Sequence, residues 1–135
     1  MDRVFADTCY WIGLFDPTDQ LHASARAAKD QYRELKLVTT EEVLTEFLTR
    51  MRTSDKNRRT NAVRFLFDII RDDNVQILPQ SDQSFAEGVR LFAARYDKDY
   101  SLQDCISMNT MEHHGISRVL TNDHHFKQEG FVILL

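Results

Sequence analysis

Five short apolar runs divide this chain, at residues 3–7, 37–39, 75–78, 118–121 and 131–134, and polar residues close off each one. Apolar runs of this length are expected of strands buried on both faces of a parallel sheet. Helical patterns fill the stretches between them. The spacing predicts helices over about 18–35, with Thr18 or Asp19 as N-cap, over about 41–52, and over about 56–72. Another is predicted over about 82–96, where Phe85, Val89, Phe92 and Tyr96 recur at helical spacing, and a last over about 102–114, ended by Gly115. Four glycines and two prolines suit a helix-rich domain. Strands alternating with helices imply an α/β fold, an open sheet with helices on both faces and right-handed crossovers. Such sheets build their sites beyond the carboxyl ends of the strands, where strand order reverses.

Two of the runs end in an acid. "VFADT" leads into Asp7, and "SRVLTNDHHF" passes through Thr121 and Asn122 to Asp123. Each has a plainer explanation as the N-cap of a short helix, "TCYWIGLF" after Asp7 and "HHF" after Asp123. Glu46 lies at the edge of a buried stripe made by Val43, Leu44, Phe47, Leu48 and Met51, and a surface pair with Arg50 one turn on would also account for it. Asp104 follows Ser101 in a capping arrangement, yet at 100° per residue it shares a face with Met108 and Met111. An ionised acid on a partly apolar face is costly unless a cation meets it. Taken together, two strand-end acids and two helix-borne acids can gather at one sheet edge. Carboxylates so gathered repel, and a hard divalent cation relieves the repulsion. All-oxygen donors suit Mg²⁺ or Mn²⁺ rather than zinc. That combination supports hydrolysis of a phosphodiester.

At 135 residues the chain is expected to form one domain, 1–135, with its own core. No apolar stretch nears the roughly 20 residues of a membrane helix, and the chain enters a strand almost at once, so neither membrane insertion nor a signal peptide is expected. Two cysteines, Cys9 and Cys105, make no disulfide framework, and a cytoplasmic, reducing setting is expected. The net charge of −4 does not announce a nucleic-acid binder. Arg50, Arg52, Lys56, Arg58, Arg59 and Arg64 nevertheless crowd a stretch whose only acid is Asp55, and such a patch can hold phosphates or an acidic partner segment.

The ordered set "VFADT", "TEEVLTEFL", "SLQDCIS" and "VLTNDHHF", followed by "GFVILL", resembles a PIN domain over essentially the whole chain, and most of all the compact VapC-type toxins of prokaryotic toxin–antitoxin pairs. The resemblance implies a three-layer α/β/α fold with a five-stranded parallel sheet in the order 3-2-1-4-5. It implies an endoribonuclease dependent on Mg²⁺ or Mn²⁺, an RNA substrate, a cognate antitoxin and a homodimer. The matching acids are Asp7, Glu46, Asp104 and Asp123. Asp7, Glu46 and Asp104 would hold one metal, with Asp123 completing the cage or supporting a second ion. Thr8 and Thr121 match small polar positions beside the acids, Ser101 matches a hydroxyl that often precedes the third, and Asn122 falls where the family varies. Relatives usually carry more alanine after the third acid, where this chain has Ser107, Asn109 and Thr110. Two alternatives share the fold: an RNA-processing nuclease without an antitoxin, and a non-catalytic binding module, which intact acids argue against.

Other residues invite function and have plainer readings. His113, His114, His124 and His125 could suggest zinc, but adjacent helical histidines point about 100° apart and no thiolates sit at zinc spacings. Exposed, uninvolved histidines are expected, with RNA contact by His124 or His125 as the second reading. Cys9 and Cys105 read as small buried hydrophobes. Trp11 reads as core rather than a base-stacking platform. In "NRRTNAVRFLFDIIRD", Ala62, Val63, Leu66, Ile69 and Ile70 make the stripe, and Phe65 and Phe67 flank it. Those rings either fold under neighbouring loops or meet a partner, which the resemblance makes the antitoxin or a second copy.

Overall fold

The computed structural model describes residues 2–53 and 55–135. Its parallel sheet runs β3-β2-β1-β4-β5, as expected from the resemblance. The strands are β1 (Arg3–Ala6), β2 (Lys36–Thr40), β3 (Val75–Leu78), β4 (Arg118–Leu120) and β5 (Val132–Ile133). Around them pack α1 (Thr8–Phe15), α2 (His22–Gln31), α3 (Glu41–Arg50), α4 (Lys56–Arg71), α5 (Asp82–Ala94), α6 (Leu102–His113) and α7 (His124–Gln128). β1 is central: Phe5 pairs with Val38 on one side and Val119 on the other. Val4, Phe5, Ala6, Val38, Val119 and Leu120 are wholly shut from water, which explains runs without polar alternation. The strand order reverses at β1, so its carboxyl end and that of β4 open onto one crevice. No helix among the described residues is long and apolar enough to cross a membrane.

Two helices differ from expectation, for local reasons. α2 begins at His22, not near Thr18. The Thr18 amide and hydroxyl both donate to Asp16 Oδ1, and the Leu21 amide donates to Asp19 Oδ2. Side-chain turns at Asp16 and Asp19 therefore take the amides that an earlier helix would have used. α4 is rotated from its expected stripe. Ala62 and Ile69 are buried and Leu66 is half-buried, but Val63 and Ile70 face water. Phe65 turns inward instead, joining Phe15 and Phe47 at ring-centroid distances of 5.4 and 5.6 Å, and Trp11 at 6.5 Å. Phe67 stays out, with the Arg71 guanidinium 5.7 Å from its ring. Trp11 is core, and its Nε1 donates to Thr39 Oγ1.

α5 forms where its periodicity places it, but the periodic stripe faces outward: Phe85 is 58% exposed, Phe92 51% and Tyr96 90%. The inward contact is Gly88, which lets α5 approach α6. A Cβ built on Gly88 would stand 2.5 Å from Ile106 Cγ1, near the stem of a buried side chain. Alanine there gains about 1 kcal/mol in helix propensity. Overpacking costs about 1–3 kcal/mol and should win, because Ile106 is branched and shut in. Gly88→Ala is therefore expected to lower the urea midpoint, and an unchanged or higher midpoint would show that the two helices can separate freely. The polar residues of α6 do not loosen it: Ser107 is fully buried, and the Thr110 hydroxyl folds back to donate to Ile106 O. Gly115 takes a φ of +64°, which suits glycine just past a helix end.

Candidate functional site at the carboxyl edge of the sheet

Asp7 leaves β1 and precedes α1, but its side chain makes no capping hydrogen bond, so the plainer reading fails there. Its Oδ2 accepts instead from Thr121 Oγ1 at 2.9 Å, across the β1–β4 boundary. The residue is only 8% exposed. Burial pushes its carboxyl up from 3.8 to about 7; the Thr8 amide and the Thr121 hydroxyl oppose this, and the charges of Asp104 and Glu46 add to it.

The other three acids serve locally and in the cluster at once. Asp104 Oδ2 accepts from the Ser101 amide at 3.1 Å while Ser101 Oγ accepts from the Asp104 amide at 3.0 Å, a reciprocal capping box. Burial again raises the Asp104 carboxyl; the Ser101 amide opposes the rise and the charge of Asp123 adds to it. Asp123 caps α7, its Oδ1 accepting from the His125 amide at 2.9 Å. Glu46 is paired with Arg50 at 3.4 Å, as the surface reading expects, while its second oxygen accepts from Thr8 Oγ1 at 2.8 Å. The structure thus brings Asp104 and Asp123 directly together. Asp7 is linked to Asp123 through Thr121, and Glu46 is tied through Thr8 to the residue next to Asp7, but neither belongs to the group whose ligand atoms lie within 4.8 Å of one another.

Thr121 is the hub. Its single hydroxyl proton goes to Asp7 Oδ2, so its lone pairs are left to accept from the Asp123 amide at 3.1 Å and from Cys9 Sγ, also 3.1 Å away. Cys9 is therefore a half-buried thiol donor, not the buried hydrophobe expected from sequence, whereas Cys105 is fully buried. Burial foremost, and then the Asp7 charge, push the Cys9 thiol up to about 11, which keeps its proton in place for that bond. Asn122 is exposed beside the site.

The basic patch splits. Arg50, Arg52, Lys56, Arg59 and Arg64 are exposed. Arg58 is committed elsewhere, its Nη2 bonded to Asp16 Oδ2 at 2.7 Å, tying α4 to the end of α1.

The histidines were expected to be exposed and uninvolved; His113 and His124 are exposed, but His125 is half-buried. His125 Nδ1 lies 3.0 Å from Asp123 Oδ1 and 3.7 Å from Asp104 Oδ2. Its ring meets Tyr100 edge-on, with centroids 5.6 Å apart. Tyr100 OH donates to Glu129 Oε1 at 3.0 Å, and Glu129 takes three hydrogen bonds from Arg95. Nothing in the order of residues 95, 100, 125 and 129 marks this network, since each comes from a different turn of chain.

The PIN domain family model matches residues 4–131. Among solved structures, VapC20 of Mycobacterium tuberculosis, a sarcin-ricin loop cleaving toxin, superposes with a TM-score of 0.82 at 22% identity, covering 96% of each chain. FitAcB from Neisseria gonorrhoeae superposes with a TM-score of 0.70 at 15% identity, covering 98% of this chain and 96% of that one. At these identities the likeness is one of fold. No curated protein matches the sequence.

Proposed function

The chain belongs to the PIN domain family, and from that premise we propose that it is a divalent-metal-dependent endoribonuclease and the toxin of a toxin–antitoxin pair. One observation carries the reading: an acid at the switch point of the sheet, Asp7, is nearly shut from water and uninvolved in capping, with burial first and the neighbouring acids second pushing its carboxyl up. Burying such a group is unfavourable unless a cation meets it. The fold shared with a toxin that cleaves the sarcin-ricin loop supports the same reading.

The donor set fits a hard divalent ion. Asp7, Glu46, Asp104 and Asp123 would hold it, and oxygen donors favour Mg²⁺ or Mn²⁺. Such an ion supplies Lewis acidity, offsetting charge on phosphoryl oxygens and easing loss of a proton from water. The chain's own residues supply the positioning. Thr121 aims Asp7, Thr8 aims Glu46, and Ser101 fixes Asp104, so the carboxylates need little reorganisation when RNA arrives. Arg50, Arg52, Lys56 and Arg59 would meet backbone phosphates or an acidic antitoxin segment, while Arg58 stays with Asp16. Hydrolysis of this kind leaves 5′-phosphate and 3′-hydroxyl ends.

Partner surfaces are available on this reading. An apolar cavity of about 360 Å³ between α1, α2 and α4, lined by Tyr10, Trp11, Tyr32, Phe65 and Ile69, would accept apolar side chains of an antitoxin segment. The exposed α5 stripe of Phe85, Val89 and Phe92, with Tyr96 just past the helix end, would pair with its copy in a second chain.

Purified protein incubated with total RNA and Mg²⁺ or Mn²⁺ is expected to yield discrete cuts with 5′-phosphate ends, and chelator is expected to remove them. Cleavage that persists in chelator would overturn the metal reading. Absence of cleavage with either ion would overturn the nuclease.

A further inference from the structure

Among the described residues, one group of three side chains has ligand-type atoms all within 4.8 Å of one another: Asp104, Asp123 and His125. Two of these are acids that the functional reading already uses. The third is a nitrogen donor that it does not use. His125 Nδ1 is shut from solvent and makes no hydrogen bond, although Asp123 Oδ1 is only 3.0 Å away. A buried polar atom left without a partner is costly, so its position beside two carboxylates calls for a physical cause. Adjacent corners of an octahedral shell with bonds of about 2.1 Å lie about 3 Å apart. The separation of Nδ1 from Asp123 Oδ1 is that of two ligands sharing one ion, and Asp104 Oδ2, at 3.7 Å, falls within reach of the same ion.

The ring is also confined by its neighbours. Tyr100 packs edge-on to it, His124 lies against it at 4.6 Å between centroids, and Tyr100 is anchored through Glu129 to Arg95. Its backbone amide is pinned to Asp123 Oδ1 at 2.9 Å, so the imidazole and the carboxylate are placed by one short turn. Little rotamer freedom remains to be lost on binding an ion.

We propose that His125 Nδ1 is a direct metal ligand, which makes the Asp104–Asp123 position an O,O,N site that favours Mn²⁺ over Mg²⁺. The inference rests on the metal-dependent reading above and adds to it the kind of ion preferred. Imidazole nitrogen binds the later divalent metals better than magnesium, which keeps to oxygen and sheds water reluctantly. The other use for this ring, a protonated partner in an ion pair with the two acids, leaves no lone pair for a metal.

The test reads the metal's ligands rather than turnover. Mn²⁺ alone is added to the metal-free full chain, and electron spin-echo modulation is recorded together with calorimetric affinities for Mn²⁺ and Mg²⁺. The wild-type spectrum is expected to show imidazole nitrogen coupling. That coupling should vanish in His125→Gln and persist in His124→Gln, and His125→Gln should weaken Mn²⁺ at least about tenfold while weakening Mg²⁺ less. Bound Mn²⁺ without nitrogen coupling in the wild type would overturn the inference and leave the metal-dependent reading standing. So would coupling that survives in His125→Gln. Absence of any Mn²⁺ binding by the wild type would overturn both. The wild-type spectrum decides without a variant, so a poorly folding His125→Gln does not block the test.

Discussion

Asp7→Asn should cut RNA cleavage by more than about 100-fold, because even the outer partners of metal ligands are worth 10–100-fold, and should at the same time stabilise the metal-free protein at neutral pH. Burial is the main reason the Asp7 carboxyl rises from 3.8 to about 7. The folded state therefore holds this proton more tightly than the unfolded chain does. Below about pH 4 both states are protonated and there is no penalty. As pH rises from about 4 to 7, the unfolded chain ionises first and stability falls; above 7 the full penalty remains. A shift of this size corresponds to roughly 4 kcal/mol. Asparagine cannot ionise and still offers an oxygen to Thr121, so the difference in stability between variant and wild type should grow across that window and then level off. Urea unfolding of both proteins in chelator, from pH 5 to 8, measures it. A divalent ion at 100 times its dissociation constant should return about 2.7 kcal/mol to the wild type and little to the variant. Asp7→Asn that cleaves normally, or that is less stable than wild type at pH 8 without metal, would mean that Asp7 is an ordinary structural acid.

Phe47→Ala should be the most damaging single truncation outside the site, costing about 3–5 kcal/mol, of the same order as the whole stability of many domains. Phe47 is fully buried. Its ring meets Phe15 of α1 edge-on at 5.7 Å and Phe65 of α4 at 5.6 Å, so its loss removes the contact that holds three helices together. It also follows Glu46 directly. If α3 loosens, the Thr8–Glu46 bond is the first site contact to suffer, so cleavage should fall in samples that remain folded. Unfolding midpoints and single-turnover cleavage at low temperature separate the two effects. A loss below about 1 kcal/mol would show that α1 and α4 collapse into the space without strain.

The fold was legible because Val4, Phe5 and Ala6, and Val119 and Leu120, are buried on every side and leave no room for a polar side chain directly before Asp7 and Thr121. Asp104 was legible as an acid out of keeping with its helix face, whereas Glu46, at the edge of its stripe and paired with Arg50, was a candidate only in company with the other acids. The direction in which a face points was less so. Phe85, Val89, Phe92 and Tyr96 obey helical spacing whether the helix packs them inward or leaves them bare, and here Gly88 and Ile106 decided that they stay bare. On α4, Phe65 displaced Val63 and Ile70 from the core because the space beside Phe15, Phe47 and Trp11 suits a ring.

The alternation of strands and helices follows from periodicity and local chemistry, while the family and its four candidate acids follow from the resemblance carried by short motifs; both are local in the chain and can be read along it. The orientation of His125, the commitment of Arg58 to Asp16 and the hub at Thr121 depend on groups 21, 42 and 114 positions apart meeting in space. Only packing sets such distances, and so only the tertiary structure decided which histidine faces the acids, which arginine is spent, and which hydroxyl orients Asp7.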